Sequence, residues 1–313
     1  MQTNSTCKKR RLLSLTCAVA MVLSLAHLLT LPISAVEPTY EPSEVYQDSA
    51  YYDDLLAYEL TGDMRQDVLS IAYTQLGYHE GDSPADMDGD NLFGSRNFVE
   101  YNRIWSTLDN GEGNGNSYGF AWCAAFVSWC LRQGHVPTDI AASEVSCQRM
   151  TDWYRNNSTY YTRTSGYTPI PGDIIMFRYG SGAANHVGFV VGVEDGRVYT
   201  IEGNTSGEVG LRSYRLGNTA ILGYCVPDYT VVAGAEYDFP LTEEYAPGEY
   251  VTLAASLNVR TGPSTEYAKI GTLPQNTYVT VTECVGEWGK ITYHGREAWI
   301  CLSYVSQTMS NTR

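Results

Sequence analysis

The chain has 313 residues, 43% of them hydrophobic, and a formal net charge of −15. That length allows more than one core, and that charge disfavours nucleic acid and anionic membrane surfaces as partners. The eight cysteines form no CxxC and no paired Cys/His spacing, which argues against a zinc site, and they are too sparse for a disulfide scaffold.

Lys8-Lys-Arg-Arg11 precedes an apolar run from Leu12 to Leu31, and the small residues Ser34 and Ala35 follow it. Residues 1–35 read as a secretory signal peptide, cleaved most simply after Ala35. An uncleaved anchor is the alternative, since about twenty apolar residues can span a bilayer. Cleavage would remove four positive charges, taking the net charge from −15 to −19, and leave a secreted chain with no stable membrane insertion. It would also leave six cysteines, at 123, 130, 147, 225, 284 and 301.

Residues 36–62, rich in Glu, Pro, Tyr and Asp without a sustained period, read as an acidic solvated spacer with a short helix near Asp53–Glu59. Asp63 caps a predicted helix through Met64, Val68, Ile71, Ala72 and Leu76, stopped by Gly77. Over 63–228 helices come early and strands late, which predicts an α+β domain. Residues 229–247 read as a second linker. In 248–307, six short β-rich runs (Tyr250–Leu253, Leu257–Arg260, Lys269–Leu273, Tyr278–Cys284, Gly289–Tyr293, Glu297–Leu302) alternate with turn residues, predicting a small all-β barrel.

The chemistry concentrates in two strings. Ala121 to Gln133 is apolar nearly all round, so it is a buried helix, ended by Gly134 and Pro137. Cys123 sits in its first turn, where free N–H groups and the helix dipole favour a thiolate. Cys130 lies about 10 Å deeper along the same helix and reads as core. Cys147 and Cys225 have no helix start or nearby His and read as structural. Cys284 and Cys301 could bridge, though two small buried residues is the simpler reading.

A thiolate nucleophile needs a base in space. Of the histidines beyond the leader, His135 follows the wrong end of the helix, His294 sits in a barrel turn, and His79 lies in a loop without evident geometry. His186 opens the alternating strand His186-Val-Gly-Phe-Val-Val-Gly-Val193. Val198 to Asn204 is the return strand. A three-residue loop, Glu194-Asp195-Gly196, would pair 193 with 197 and 186 with 204. A two-residue turn would pair His186 with Thr205 and put Glu202 and Asn204 on the wrong face. The first register places Glu202 and Asn204 on the face of His186, where either can accept from one imidazole nitrogen. Glu202 is the preferred orienter because its charge also stabilises imidazolium, with Asn204 in support.

Trp122-Cys123-Ala-Ala-Phe-Val-Ser-Trp129, Pro171-Gly-Asp-Ile-Ile-Met-Phe177, Asn185-His186-Val-Gly-Phe-Val190 and Ile201-Glu202-Gly-Asn204-Thr205 resemble the CHAP domain, the cysteine, histidine-dependent amidohydrolase/peptidase branch of the papain-like NlpC/P60 superfamily. Gln75-Leu-Gly-Tyr-His-Glu-Gly81 fits the front of that domain. Leu257-Asn-Val-Arg-Thr-Gly-Pro-Ser264, Trp288-Gly-Lys-Ile291 and Ala298-Trp-Ile300 resemble a bacterial SH3 (SH3b) domain. The resemblance implies a papain-like α+β catalytic domain followed by an SH3-like barrel, in a secreted or wall-associated peptidoglycan hydrolase. It implies cleavage of the N-acetylmuramoyl–L-alanine amide or of a stem-peptide or crossbridge bond, with Cys123, His186, Glu202 and Asn204 as the catalytic set. It implies peptidoglycan bound through SH3b as the partner; no cofactor and no metal are expected, and the chain is expected to be a monomer. A non-enzymatic wall-binding protein on the same fold is the second reading. Asp86-Met-Asp88-Gly-Asp90-Asn91 looks like a calcium loop but lacks Gly at the sixth position and Glu at the twelfth, so it reads as an acidic solvated loop. Asn110-Gly-Glu-Gly-Asn-Gly-Asn116 reads as a candidate lip of the substrate cleft.

Overall fold

The computed structural model describes residues 34–107, 118–242 and 245–307. The basic and apolar runs of the expected leader and the Gly-rich lip at 110–116 lie outside the described residues. Within them, no helix is long and apolar enough to cross a membrane.

Strand β1 (Ser34–Ala35) pairs antiparallel with β2 (Glu59–Leu60). Between them lie α1 (Glu44–Gln47) and α2 (Ala50–Ala57), capped by Ser43 and Ser49, whose hydroxyls accept from the N–H groups of Tyr46 and Tyr52. This corrects the expectation of a solvated spacer over 36–62. Tyr46 and Leu55 are fully buried, Tyr46 Oη donates to Gln75 Oε1 at 2.9 Å, and Tyr51 Oη donates to the Gly77 carbonyl at 2.8 Å. The tyrosines that gave the segment a polar look act as long apolar bodies with one donor at the tip.

Helix α3 (Met64–Tyr73) starts at the expected cap, Asp63, whose carboxylate accepts from Gln66 N–H. Then come α4 (Glu100–Thr107), α5 (Cys123–Gln133) and α6 (Cys147–Asn156). Six strands follow: β3 (Tyr160–Thr162), β4 (Ile174–Phe177), β5 (His186–Glu194), β6 (Arg197–Thr205), β7 (Glu208–Arg215) and β8 (Ile221–Cys225). They form one antiparallel sheet in the order β3-β8-β4-β5-β6-β7. Helix α5 packs on β5 and β6 with α3 and α4 against it. Its apolar girth is explained by this central place: Phe126, Val127, Trp129 and Cys130 are all fully buried. The opposite sheet face carries a second core of Ile175, Phe177, Val190, Val198, Ile221 and Tyr224.

The Pro171-Gly-Asp173 motif anchors this frame. Asp173 accepts from Tyr167 Oη at 2.6 Å and from Ile170 N–H at 2.9 Å, and meets Arg65 Nη1 of α3 at 3.3 Å. Gly172 has φ +87°, and a Cβ there would stand 2.7 Å from Arg65 Cγ, so the close approach needs glycine.

Residues 229–241, expected as part of a solvated linker, form a strap over the domain. Val232 N–H and Tyr237 Oη donate to Asp63, and Phe239 stacks on Tyr73 at 5.2 Å. The tail then forms β9 (Gly248–Thr252), β10 (Ser256–Arg260), β11 (Lys269–Pro274), β12 (Tyr278–Val281), β13 (Glu283–Val285), β14 (Trp288–Tyr293), β15 (Arg296–Cys301) and β16 (Val305–Gln307). These make two small sheets, β11-β10-β15-β14-β13 and β12-β9-β16, around a core that includes Tyr250, Val259, Ile291, Ile300 and Leu302. The expected run 278–284 is divided between β12 and β13. Cys284 and Cys301 are free thiols on strands either side of β14.

Candidate active site

The site is assembled by the β5–β6 hairpin and the start of α5. The hairpin closes on a two-residue turn, Asp195-Gly196, with Glu194 opposite Arg197 and both turn residues at positive φ (48° and 73°). The three-residue loop expected from the sequence is therefore not formed. A bulge between Val190 and Gly192 absorbs one residue, so that Phe189 faces Ile201. That is the register the longer loop would have given, and it keeps His186 and Glu202 on one face.

His186 Nε2 lies 2.7 Å from Glu202 Oε2. Glu202 is fully buried and fully engaged: Thr200 Oγ1 donates to Oε1 at 2.6 Å and Tyr214 Oη to Oε2 at 3.1 Å. Thr200 and Tyr214 escaped the sequence reading, although Thr200 shares the strand face of Glu202 by simple alternation. Glycines make the room. Gly210 faces Glu202 from β7, and a Cβ on Gly188 would stand 2.5 Å from Glu202 Cγ.

A third glycine sets the helix. A Cβ on Gly203 would lie 2.6 Å from Phe126 Cβ and 2.9 Å from Trp122 Cζ3, so α5 can lean its first turn on β6 only because that side chain is missing. Trp122 holds the same end, its indole Nε1 donating to buried Glu80 Oε2 at 2.8 Å. Trp122 is the residue before α5 and makes no side-chain cap, so the first N–H groups of the helix are not taken by a capping side chain.

Cys123, first residue of α5, is 3% exposed. Its thiol is held well below the ordinary range: the Cys147 thiol donates to it, and although burial opposes ionisation, His186 bonds to it and the Ala124 N–H adds to the effect. His186 is pushed up to about 10; burial acts against its charge but is overcome by Glu202 and by Cys123. Burial likewise opposes charge on Glu202, and the imidazolium, Thr200 and Arg212 keep its carboxyl below the usual range. All three shifts favour the charged form, so the arrangement favours a thiolate beside an imidazolium beside a carboxylate.

Asn204, the fourth expected residue, is at the end of β6 with φ 55°. It lines the same cavity of about 620 Å³ as His186 and Glu202. Its amide donates to Asn97 Oδ1 at 3.3 Å, while the imidazole Nε2 is taken by Glu202. The C-terminal barrel closes one side of this cavity with Glu287, Ser303 and Tyr304.

One reading is corrected by the position of Cys147. It does begin a helix, α6, with Ser146 as cap, and its Sγ is 3.6 Å from that of Cys123. The signal was present in the sequence: Ser146 is a cap type, and Cys147, Met150, Thr151 and Tyr154 follow helical spacing, all buried. In the acidic loop, Asp86 accepts from Asp82 N–H and from the Asn91 amide at 2.9 and 2.7 Å, so its carboxylate is committed to shaping the turn.

Comparison with known proteins agrees with this architecture. Residues 113–204 match the CHAP domain family and residues 255–306 the bacterial SH3 domain family. A curated protein of Bacillus subtilis (strain 168), "Putative N-acetylmuramoyl-L-alanine amidase YrvJ", is 36% identical over 56 residues, 18% of this chain and 11% of that protein. The chain thus spans about a tenth of that relative's length. Two solved structures align. The crystal structure of Ly7917 shares 15% identity at a TM-score of 0.31, over 77% of this chain and 97% of that one. The crystal structure of Ly7917 with the hydrolyzing product of MDP shares 18% at 0.27, over 59% and 87%. The chain carries a CHAP domain, α+β in architecture, followed by an all-β bacterial SH3 domain.

Proposed function

We propose that this protein is a cysteine-dependent peptidoglycan hydrolase, outside the cell or bound to its wall, with the SH3 domain engaging wall peptide. The observation that carries the reading is the chain Cys123–His186–Glu202 at the free end of a buried helix. Its bond is an amide, either between N-acetylmuramic acid and L-alanine or within a stem or crossbridge peptide. The CHAP family match and the amidase-named relative support that substrate class.

The Cys123 thiolate attacks the amide carbonyl, and the oxyanion accepts from the Cys123 N–H, which has no acceptor one turn back. His186 gives its proton to the leaving amine, and the C–N bond breaks to leave a thioester. Neutral His186 then takes a proton from water as it attacks, and the acid departs with the thiolate restored. Glu202 holds the ring and its charge throughout. Asn204 keeps the Asn97 loop at the cleft edge.

Release of muropeptides from purified walls by the wild type, and none by Cys123→Ala, is the expected result; mass spectrometry of the fragments names the bond. Equal release by both proteins would leave the second reading, a wall-binding protein without catalysis.

A further inference from the structure

Cys123 and Cys147 are both reduced, and their sulfurs face each other at 3.6 Å in a buried space. Each is the first residue of its helix, α5 and α6, so two helix N-termini converge on one pair of sulfurs. Among the described residues no other pair of thiols is in contact. A disulfide holds its sulfurs about 2.05 Å apart. Closing the remaining gap of about 1.5 Å asks for side-chain rotation and slight settling of two adjoining first turns, not for refolding.

The two thiols also differ in the way such chemistry requires. Cys123 is the more readily ionised partner, favoured by Cys147 and by His186. Cys147 is held as a thiol, first by its bond to Cys123 and then by burial. Oxidation of Cys123 to the neutral sulfenic acid removes the negative charge that kept the Cys147 proton in place, so the second sulfur becomes a nucleophile only after the first has reacted.

We propose that Cys123 and Cys147 form a redox-active dithiol, in which a hydroperoxide oxidises Cys123 and Cys147 captures the product as a reversible disulfide. In the first step the thiolate attacks one peroxide oxygen, the O–O bond breaks, and with one proton Cys123–SOH forms together with water from hydrogen peroxide or the alcohol from an organic hydroperoxide. In the second, Cys147 sulfur displaces the sulfenic oxygen, which leaves as water with the Cys147 proton. A small dithiol returns both residues to thiols and is itself oxidised. While bridged, Cys123 cannot attack an amide; once reduced, it has escaped irreversible oxidation. The inference takes from the functional reading only that Cys123 is a reactive thiolate.

The test treats the full-length protein with hydrogen peroxide, blocks remaining thiols with iodoacetamide, and locates bridges by tandem mass spectrometry. The expected result is a Cys123–Cys147 bridge, with wall hydrolysis falling to background and both changes reversed by dithiothreitol. In Cys147→Ser, peroxide should carry Cys123 to the sulfinic acid, two oxygens heavier and not restored by dithiothreitol. Cys123 gaining oxygens in the wild type without a bridge to Cys147 overturns the dithiol and leaves the hydrolase reading standing. A bridge in a protein that releases no muropeptides does the reverse. A Cys123 that reacts with neither peroxide nor iodoacetamide overturns both.

Discussion

His79 is buried and His186 nearly so, and each sets Nε2 against a glutamate Oε2, at 2.7 Å from Glu202 for His186 and 3.3 Å from Glu208 for His79. Yet His186 is pushed up to about 10, whereas burial pushes His79 down to about 4. The neighbours explain the split. Besides His186, Glu202 is bonded to the neutral donors Thr200 and Tyr214, Arg212 adds only the smallest of the pulls on its charge, and Cys123 also favours the charged ring of its histidine. Glu208 also meets Arg212 at 3.2 Å, so its charge is already matched. A carboxylate in contact does not by itself charge a largely buried imidazole; one otherwise bonded only to neutral donors, and reinforced by a thiol that favours the charged ring, does.

The largest contrast is in turnover. Cys123→Ala should abolish wall hydrolysis, and His186→Ala should lower it about 10²–10⁴-fold, the usual worth of a positioned acid–base group. His79→Gln should leave turnover at pH 7 close to wild type. Comparable losses from the two histidines would erase the distinction.

Glu202→Gln comes next. Activity needs a deprotonated thiol and a protonated ring, so its alkaline limb reports loss of imidazolium and its acid limb protonation of Cys123. Removing the Glu202 charge lowers the His186 pKa, moving the alkaline limb down by more than about one pH unit, the least expected from an adjacent opposite charge. The weakened imidazolium also lets the acid limb rise, so the profile narrows from both sides. Glu208→Gln should move His79 far less, because burial sets its value. Histidine ring titrations by NMR measure both, and equal shifts would refute the argument from the neighbours of the two glutamates.

A smaller, structural contrast concerns the glycines. Gly203→Ala places a methyl 2.6 Å from Phe126 Cβ, an overpacking that costs about 1–3 kcal/mol and tips the first turn of α5 away from β6. Chemical denaturation gives the stability loss, and iodoacetamide reactivity of Cys123 reports the displaced helix end. Gly196→Ala, with nothing within 4 Å of the new Cβ but φ +73°, should lose stability without changing that reactivity.

Much of this was legible in the sequence because it rests on periodicity. The helix carrying Cys123, the alternation that puts His186 and Glu202 on one face, and the β-rich tail all follow from spacing. The Pro171-Gly-Asp173 motif was visible as a string, but its function as a clamp on Arg65 was not, because that contact spans more than a hundred residues. The hairpin register was right at Phe189–Ile201 for a different reason: a tight turn and a bulge at Val190–Gly192 reach the same pairing as a longer loop. Bulges leave little trace in a single sequence. Composition counts tyrosine and acid in segment 36–62 as solvated, whereas Tyr46 buries its ring, Tyr51 partly buries its own, and each satisfies its polar tip. The residues beside Cys147 in sequence do not show its partner, which lies 24 residues away.

The smallest effect separates the two histidines through stability. A His whose folded pKa lies below its unfolded value of 6.5 binds its proton preferentially in the unfolded chain. Stability linked to His79 is therefore intact above 6.5, falls as the pH drops toward 4, and changes no further below that. The shift corresponds to at most about 3 kcal/mol, reduced to the extent that Glu208 steadies the charged ring. His186 has the opposite sign: its contribution is present below 6.5 and lost as the pH rises through about 10. Urea unfolding of wild type and His79→Gln at pH 7 and pH 4.5 isolates the first term, because every carboxylate is common to both proteins. The variant should lose less stability between those two values. An identical loss would mean that His79 binds its proton equally well in the folded and unfolded chain, and a larger loss in the variant that Glu208 holds it much as Glu202 holds His186.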